Sequence, residues 1–308
     1  MSIIKIEDIA FVRFTAPDLD PMRGFLADFG LVAVEPAMAD MLYARGVGTA
    51  PFLHVTTLGE PGFAGLGLRA QSVVDLQLLA AAEGAAVEAS AAPGGGSVVR
   101  LRDPDDNLVE VVAGQTLSEP LPLKPTTATN TITGRPRARE LKRLTPGPSQ
   151  VVRLGHAVLN VANFRASEQW YKDRFGFITS DEIALTPEFS LGSFLRCDRG
   201  ETPTDHHTLF LLQAPEAPGF NHAAFEVADL DDLMTGHDLL KSAQCTPHWG
   251  IGRHLLGSQI FDYWRDPWGN TLEHWTDGDL LTAADGSQVS TVQDLMAVQW
   301  GSPMPTDH

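Results

Sequence analysis

The chain is poor in the features that would make it a secreted, membrane-spanning or nucleic-acid-binding protein. Its 308 residues hold only two cysteines, Cys197 and Cys245, too few for a disulfide framework, and both are read as reduced thiols. No apolar run approaches the roughly 18 residues of a spanning helix. The first residues, Met-Ser-Ile-Ile-Lys-Ile-Glu-Asp, lack the pattern of a signal peptide, so a cytoplasmic location is expected. Basic residues number 22 against 39 acidic ones, and the net charge of −17 argues against nucleic acid or an anionic membrane as partner.

What is present is an ordinary globular composition and a repeat. At this length two domains are the natural expectation. Asp103-Pro104-Asp105-Asp106-Asn107-Leu108-Val109-Glu110 matches Asp266-Pro267-Trp268-Gly269-Asn270-Thr271-Leu272-Glu273, an offset of 163. Pro61-Gly62-Phe63 matches Pro218-Gly219-Phe220 at 157, and Phe29-Gly30-Leu31 matches Phe175-Gly176-Phe177 at 146. Order is kept while loop lengths drift. Each half divides again into strand, helix and three strands, with helical spacing over Leu19–Phe29, Ser72–Glu83, Ala166–Phe175 and Leu230–Lys241. The expected organisation is therefore an N-terminal domain over 1–115, a Pro/Thr/Ser-rich basic linker over 116–150, a second domain over 151–281 and a tail over 282–308. The tail contains one short amphipathic stretch, Val289–Val298.

The chemistry concentrates in the second half. Asp266-Pro267-Trp268-Gly269-Asn270 is a strong turn between Ile260–Trp264 and Thr271–Trp275, two runs rich in β-branched and aromatic residues. In the resulting hairpin Tyr263 and Glu273 stand opposite each other on one face. They read either as a rim pair in solvent or as a metal ligand beside a substrate-binding phenol. His156 and His222 occupy equivalent places near the start of the two opening strands. With Glu273 they make the two-imidazole, one-carboxylate set that leaves coordination positions open on iron(II); zinc, manganese or nickel could use the same set. The first half acts as an internal control: the motif offsets place Ala10 opposite His156 and Gly65 opposite His222, and only Glu110 survives. Folding thus does not require the imidazoles, whereas a structural role for the glutamate stays open. His207 opens an apolar strand and suits acid–base work, or else is a rim histidine, as His206 is read to be. Its strand either pairs directly with the next, opposite His222, or crosses between units. His54, His237, His248, His274 and His308 are expected to be structural or exposed, with His248 and His274 the nearest to exceptions.

The spacing His254…Tyr263…Asp266-Pro267…Gly269…Glu273 resembles the signature of the type I extradiol ring-cleavage dioxygenases of the vicinal oxygen chelate (glyoxalase–bleomycin resistance–dioxygenase) superfamily. The resemblance covers nearly the whole chain. It implies an α+β fold of four βαβββ modules, paired into two incomplete β-barrels with helices outside, the first degenerate and the second catalytic. It also implies Fe(II), or alternatively Mn(II), held by His156, His222 and Glu273, with a catechol-type diol and O2 as reactants in a homo-oligomeric enzyme. His207 matches the acid–base histidine; His254 and Tyr263 match the groups that bond the diol oxygens. Biphenyl-type members carry an Asn-Asp pair where this chain has Leu256 and Gly257, so a biphenyl-like substrate is not implied. Leu256, Gly257, Phe189 and Trp249 are the expected pocket lining. Two other readings use the same fold: a glyoxalase-like isomerase or lyase with the same triad, and a non-catalytic module that binds an aromatic compound.

Overall fold

The computed structural model describes residues 2–125 and 127–305, so His308 lies outside the described residues. The N-terminal half runs β1 (Ile6–Ala16), α1 (Leu19–Phe29), β2 (Val32–Ala33), β3 (Met41–Arg45) and β4 (His54–Leu58). It repeats the unit as β5 (Gly62–Ala70), α2 (Val73–Glu83), β6 (Glu88–Ala89), β7 (Ser97–Arg102) and β8 (Leu108–Ala113). The C-terminal half follows with β9 (Val151–Val161), α3 (Phe164–Phe175), β10 (Phe177–Thr186), β11 (Phe189–Cys197), the short β12 (Thr204–Asp205) and β13 (Leu209–Gln213). Its second unit is β14 (Gly219–Val227), α4 (Leu230–Ser242), β15 (Thr246–His254), β16 (Ile260–Arg265) and β17 (Thr271–Thr276).

Each helix begins where a side-chain oxygen satisfies an otherwise orphaned backbone N–H: Asp18, Ser72, Asn163 and Asp229 cap α1 to α4. The Asn163 cap starts α3 two residues earlier than the expected Ala166. An isolated apolar Phe164 at the first helical position escapes a spacing argument, yet it is fully buried.

Strand order in the first sheet is β2-β3-β4-β1-β5-β8-β7-β6. The second keeps that order in β10-β11-β13-β9-β14-β17-β16-β15, and neither half closes into a complete barrel. Alternation along each strand separates two environments. Ala157, Leu159 and Val161 of β9 enter the main core with Phe164 and Tyr171 of α3 and Leu233 and Leu240 of α4. His156, Val158 and Asn160 line a cavity on the opposite face. The halves are welded through the apolar core by edge-on contacts, Phe14 on Phe220 at 5.0 Å and Phe29 on Phe225 at 5.6 Å between ring centroids. Tyr171 Oη also donates to Asp103 Oδ2 at 3.0 Å.

Two expectations need correction. The stretch after 281 is more than a tail with one amphipathic turn. β19 (Gln288–Thr291) joins one edge of the second sheet on β10, α5 (Val292–Met296) follows, and β20 (Val298–Gly301) joins the opposite edge on β15. Before them β18 (Leu280–Leu281) pairs with β12. The tail therefore straps across the open seam of the barrel. These strands are four residues or fewer, too short for a periodic pattern to stand out, and they bond edge backbone. The second correction is a register. Phe11, not Ala10, stands in the place of His156. In β1 the residue skipped by the ladder is Ala10; in β9 it is Gly155. The motif offset of 146 applies only after the helices, since α3 is one residue longer than α1, 12 against 11.

Candidate metal centre

Both histidines of interest follow a β-bulge. The β9–β14 ladder pairs Leu154 with Phe225 and His156 with Ala224, leaving Gly155 unpaired. It then pairs Val158 with His222 and Leu159 with Phe220, leaving Asn221 unpaired. An extra residue bends the strand and re-aims the next side chain, here toward the concave face. Gly155 is needed for this: a Cβ there would lie 2.5 Å from the Trp275 ring. The third group comes from β17, where Glu273 stands beside Ala224 of β14 and opposite Tyr263 of β16.

His156 Nε2 and His222 Nε2 each lie 3.4 Å from Glu273 Oε2. One ligand atom from each of the three side chains falls within 4.8 Å of the others. Glu273 is wholly buried, and neither of its carboxylate oxygens has a hydrogen-bond partner. A buried carboxylate without donors or a counter-charge is costly. Burial, reinforced by His156 and His248, holds His222 well below the usual histidine range. Two imidazole nitrogens and one carboxylate oxygen converging on one point fit a divalent metal ion.

The first half shows what this fold does with the same glutamate when no metal is intended. There Phe11 and Gly65 replace the histidines, and Glu110 accepts from Arg13 Nη2 at 2.8 Å and Arg100 Nε at 2.9 Å. Two guanidinium groups take the place of the cation. Among the described residues Glu273 has no arginine or lysine within 4.0 Å, and its close cationic candidates are imidazoles.

Around the triad stand three more polar side chains. His207 packs on His156 with ring centroids 4.0 Å apart. Its strand does not form a hairpin with the next: β13 runs parallel to β9, and the chain crosses over to β14 on the other side of β9. Burial, with the facing imidazoles of His156, His206, His222 and His254, holds His207 well below the usual range, so it is a neutral base. His206 is no rim residue. It is 4% exposed, with Nδ1 3.1 Å from His207 Nδ1 and Nε2 2.7 Å from Asp181 Oδ2. Its burial comes from β10 and the strap, whose Ser290 donates to Asp181 Oδ1 at 2.7 Å. The carboxylate takes the Nε2–H of His206. The free Nδ1 of His206 then accepts from His207 Nδ1–H, which leaves the His207 Nε2 lone pair for the cavity.

His254 Nε2 lies 3.0 Å from Tyr263 Oη and 4.0 Å from Glu273 Oε1. Burial lowers His254 to about 4. Burial, then the charge of Glu273, raises the Tyr263 phenol well above its ordinary value, so it keeps its proton. The cavity of about 360 Å³ above these groups is lined by His156, His207, His222, His254, Tyr263 and mainly apolar side chains.

Such a centre serves several enzyme classes, and relatives separate them. The Glyoxalase/Bleomycin resistance protein/Dioxygenase superfamily matches over residues 153–274. Metapyrocatechase 2 of Cupriavidus necator is 30% identical over 313 residues, which cover 97% of this chain and 90% of that protein. The chain belongs to the extradiol ring-cleavage dioxygenases. An iron-dependent extradiol dioxygenase of Rhodococcus jostii is 29% identical over 131 residues, 41% of this chain and 43% of that one. Two solved structures share the fold. The 2,3-dioxygenase LapB from Pseudomonas sp. KL28 has a TM-score of 0.76 at 17% identity, over 95% of this chain and 100% of that one. The Mn(II)-bound glyoxalase from Novosphingobium aromaticivorans has a TM-score of 0.76 at 24% identity, over 99% and 95%.

In this extradiol dioxygenase Leu256 and Trp249 line the cavity, but two other expected lining residues do not. Phe189 sits at the turn between β10 and β11, opposite Thr186 and 44% exposed. Gly257 occupies a turn with φ +78, where an added Cβ would meet Gln259 Oε1 at 2.7 Å and the His206 ring at 3.0 Å, and it is not part of the cavity wall. Residues without a local sequence signal supply the remainder: Asn160, Gln259, Arg265 and, from the strap, Leu295, Met296 and Met304. His248 also lines the cavity. His274 does not: it is buried in the core, its Nε2 2.7 Å from the Phe29 carbonyl and its ring stacked on Phe29. No helix among the described residues is long and apolar enough to cross a membrane.

Proposed function

We propose that this chain opens the ring of a catechol-type diol beside its hydroxyl pair, using O2 and a ferrous ion held by His156, His222 and Glu273. Manganese, named in the Novosphingobium structure, can use the same two imidazoles and carboxylate and is the alternative ion. The observation that carries the reading is Glu273: wholly buried, unpartnered at both oxygens, and 3.4 Å from two imidazole nitrogens. When bound, the ion supplies Lewis-acid lowering of the diol pKa and a shared template for diol and O2.

The chain's own groups have separable tasks. His207, neutral and with Nε2 toward the cavity, accepts a hydroxyl proton. His206 and Asp181 behind it hold the tautomer and favour the protonated ring that results. Tyr263 keeps its proton and donates to a diol oxygen, while His254 orients the phenol. Phe194, Phe210, Trp249 and Leu256 exclude water and flank the ring. An isomerase of the glyoxalase kind would need the triad but would leave the His207 relay and the His254–Tyr263 pair without a role.

An oxygen electrode tests the reading. Protein loaded anaerobically with Fe(II) is expected to consume one O2 per catechol and form a yellow ring-opened product. Catechol bound without oxygen uptake, while a thiol conjugate of an α-ketoaldehyde is isomerised, would replace it with the glyoxalase-like reading.

A further inference from the structure

Arg265 is a guanidinium lining the cavity, and among the described residues no carboxylate pairs with it. Many arginines pair with acids: Arg13 and Arg100 with Glu110, Arg153 with Asp205, Arg165 with Glu182, Arg174 with Glu83 and Arg253 with Asp277. The buried Arg196 is instead saturated by the carbonyls of Thr179, Thr282 and Gly286 and by Ser180 Oγ. Among the described residues Arg265 Nη2 meets the ring nitrogen Nδ1 of His248 at 3.2 Å, and its buried Nε has no partner. Among the described residues no Asp or Glu lines the cavity, so Arg265 is its one permanently charged wall.

The first half again provides the comparison. Arg102 precedes the equivalent Asp-Pro turn and pairs with Leu108 as Arg265 pairs with Thr271. It folds back onto its own turn, donating to the Asp106 carbonyl at 2.7 Å, and remains largely exposed. Arg265 leaves its turn and enters the cavity wall. Position in the strand therefore does not dictate that choice.

Cross-strand register places the charge relative to the metal ligands. His222 of β14 pairs with Thr271 of β17, and Thr271 pairs with Arg265 of β16. His222 and Arg265 are therefore two strand spacings apart in one row, roughly 10 Å between backbones. An aromatic ring anchored by its hydroxyl pair at the centre, with a short acidic arm on the far edge, spans that separation. A guanidinium matches a carboxylate in two parallel hydrogen bonds, and a desolvated one without a counter-charge favours a ligand that brings one.

We propose that Arg265, steadied by His248, is an anion-binding subsite that selects diols carrying a carboxylate on the ring edge away from the hydroxyls. The proposal rests on the ring-cleavage reading above. Its test compares catechol with 3,4-dihydroxybenzoate, in turnover and in anaerobic calorimetric binding to the metal-loaded protein. Wild-type protein is expected to favour the carboxylated diol in kcat/KM. Arg265→Gln should reduce that preference at least roughly tenfold, mainly through KM, with a matching loss in binding, and Arg265→Lys should recover part of it. The same preference in wild type and Arg265→Gln, or a wild-type preference for catechol, would overturn the subsite. Absence of ring cleavage with both diols would overturn the parent reading instead, and the binding comparison would still decide the subsite.

Discussion

Tyr263 lies directly across the β16–β17 ladder from Glu273, so a phenol and a buried carboxylate share one face of one hairpin. The phenol is held against His254 at 3.0 Å rather than against a cation of its own. Tyr263→Phe should therefore leave metal content and folding intact while lowering kcat/KM for a diol by roughly tenfold or more, the cost of one hydrogen bond to a charged oxygen. Metal analysis beside steady-state kinetics checks this; loss of the metal would assign the phenol to the ligand set instead.

Asp181 reaches the cavity only through His206 and His207. Asp181→Asn keeps the shape but offers an amide where His206 needs a full acceptor. The expected result is a kcat lowered about tenfold with metal retained, against a loss of a hundredfold or more for His207→Ala, which removes the base itself. Wild-type kcat in Asp181→Asn would show that the buried chain behind His207 is packing alone.

His54 is a pH-sensitive weakness far from the metal. It is wholly buried, stacked on Phe14 at 5.0 Å, with Nε2 unpartnered, and burial lowers it to about 3. Below pH 6.5 the unfolded chain takes up a proton at this residue and the folded chain does not, so stability falls as pH drops from 6.5 toward 3. Between pH 7 and pH 5 that is about 2 kcal/mol. His54→Phe should flatten the pH dependence of the denaturant midpoint by this amount. Identical pH dependence in the two proteins would contradict it.

The strap after β18 roofs the cavity. Leu295 packs on the cluster of Val158, Ile183, Phe194 and Phe210, and the Ala297 carbonyl accepts from Leu255 N in the loop after His254. Leu295→Ala removes apolar contact from the bound ring and should raise KM by roughly tenfold with kcat largely kept. An unchanged KM would mean that the strap does not touch the substrate.

Local pattern made much of this molecule legible. The Asp-Pro turn and its flanking β-rich runs define the β16–β17 hairpin, and the pairing of Tyr263 with Glu273 follows from counting outward from the turn. The four repeated units are read the same way. A one-residue insertion is harder to see: α3 is one residue longer than α1, which moves the counterpart of His156 from Ala10 to Phe11. Burial of His206 depends on β10 and on a strand from the far end of the chain, which no local signal connects. Phe189 is among the expected lining residues, yet its place at a turn leaves it exposed. Arg265 and Arg102 look alike in sequence and differ only in where their side chains turn.

The central claim is that His156, His222 and Glu273 hold one divalent ion. Metal stoichiometry after anaerobic reconstitution with Fe(II) and gel filtration tests it most directly, on wild type, His156→Ala, His222→Ala and Glu273→Gln. The account predicts close to one ion per chain for wild type and severe loss in all three variants, with folding intact by circular dichroism. Full retention of the ion in the Glu273→Gln protein, or none in the wild type, would contradict it.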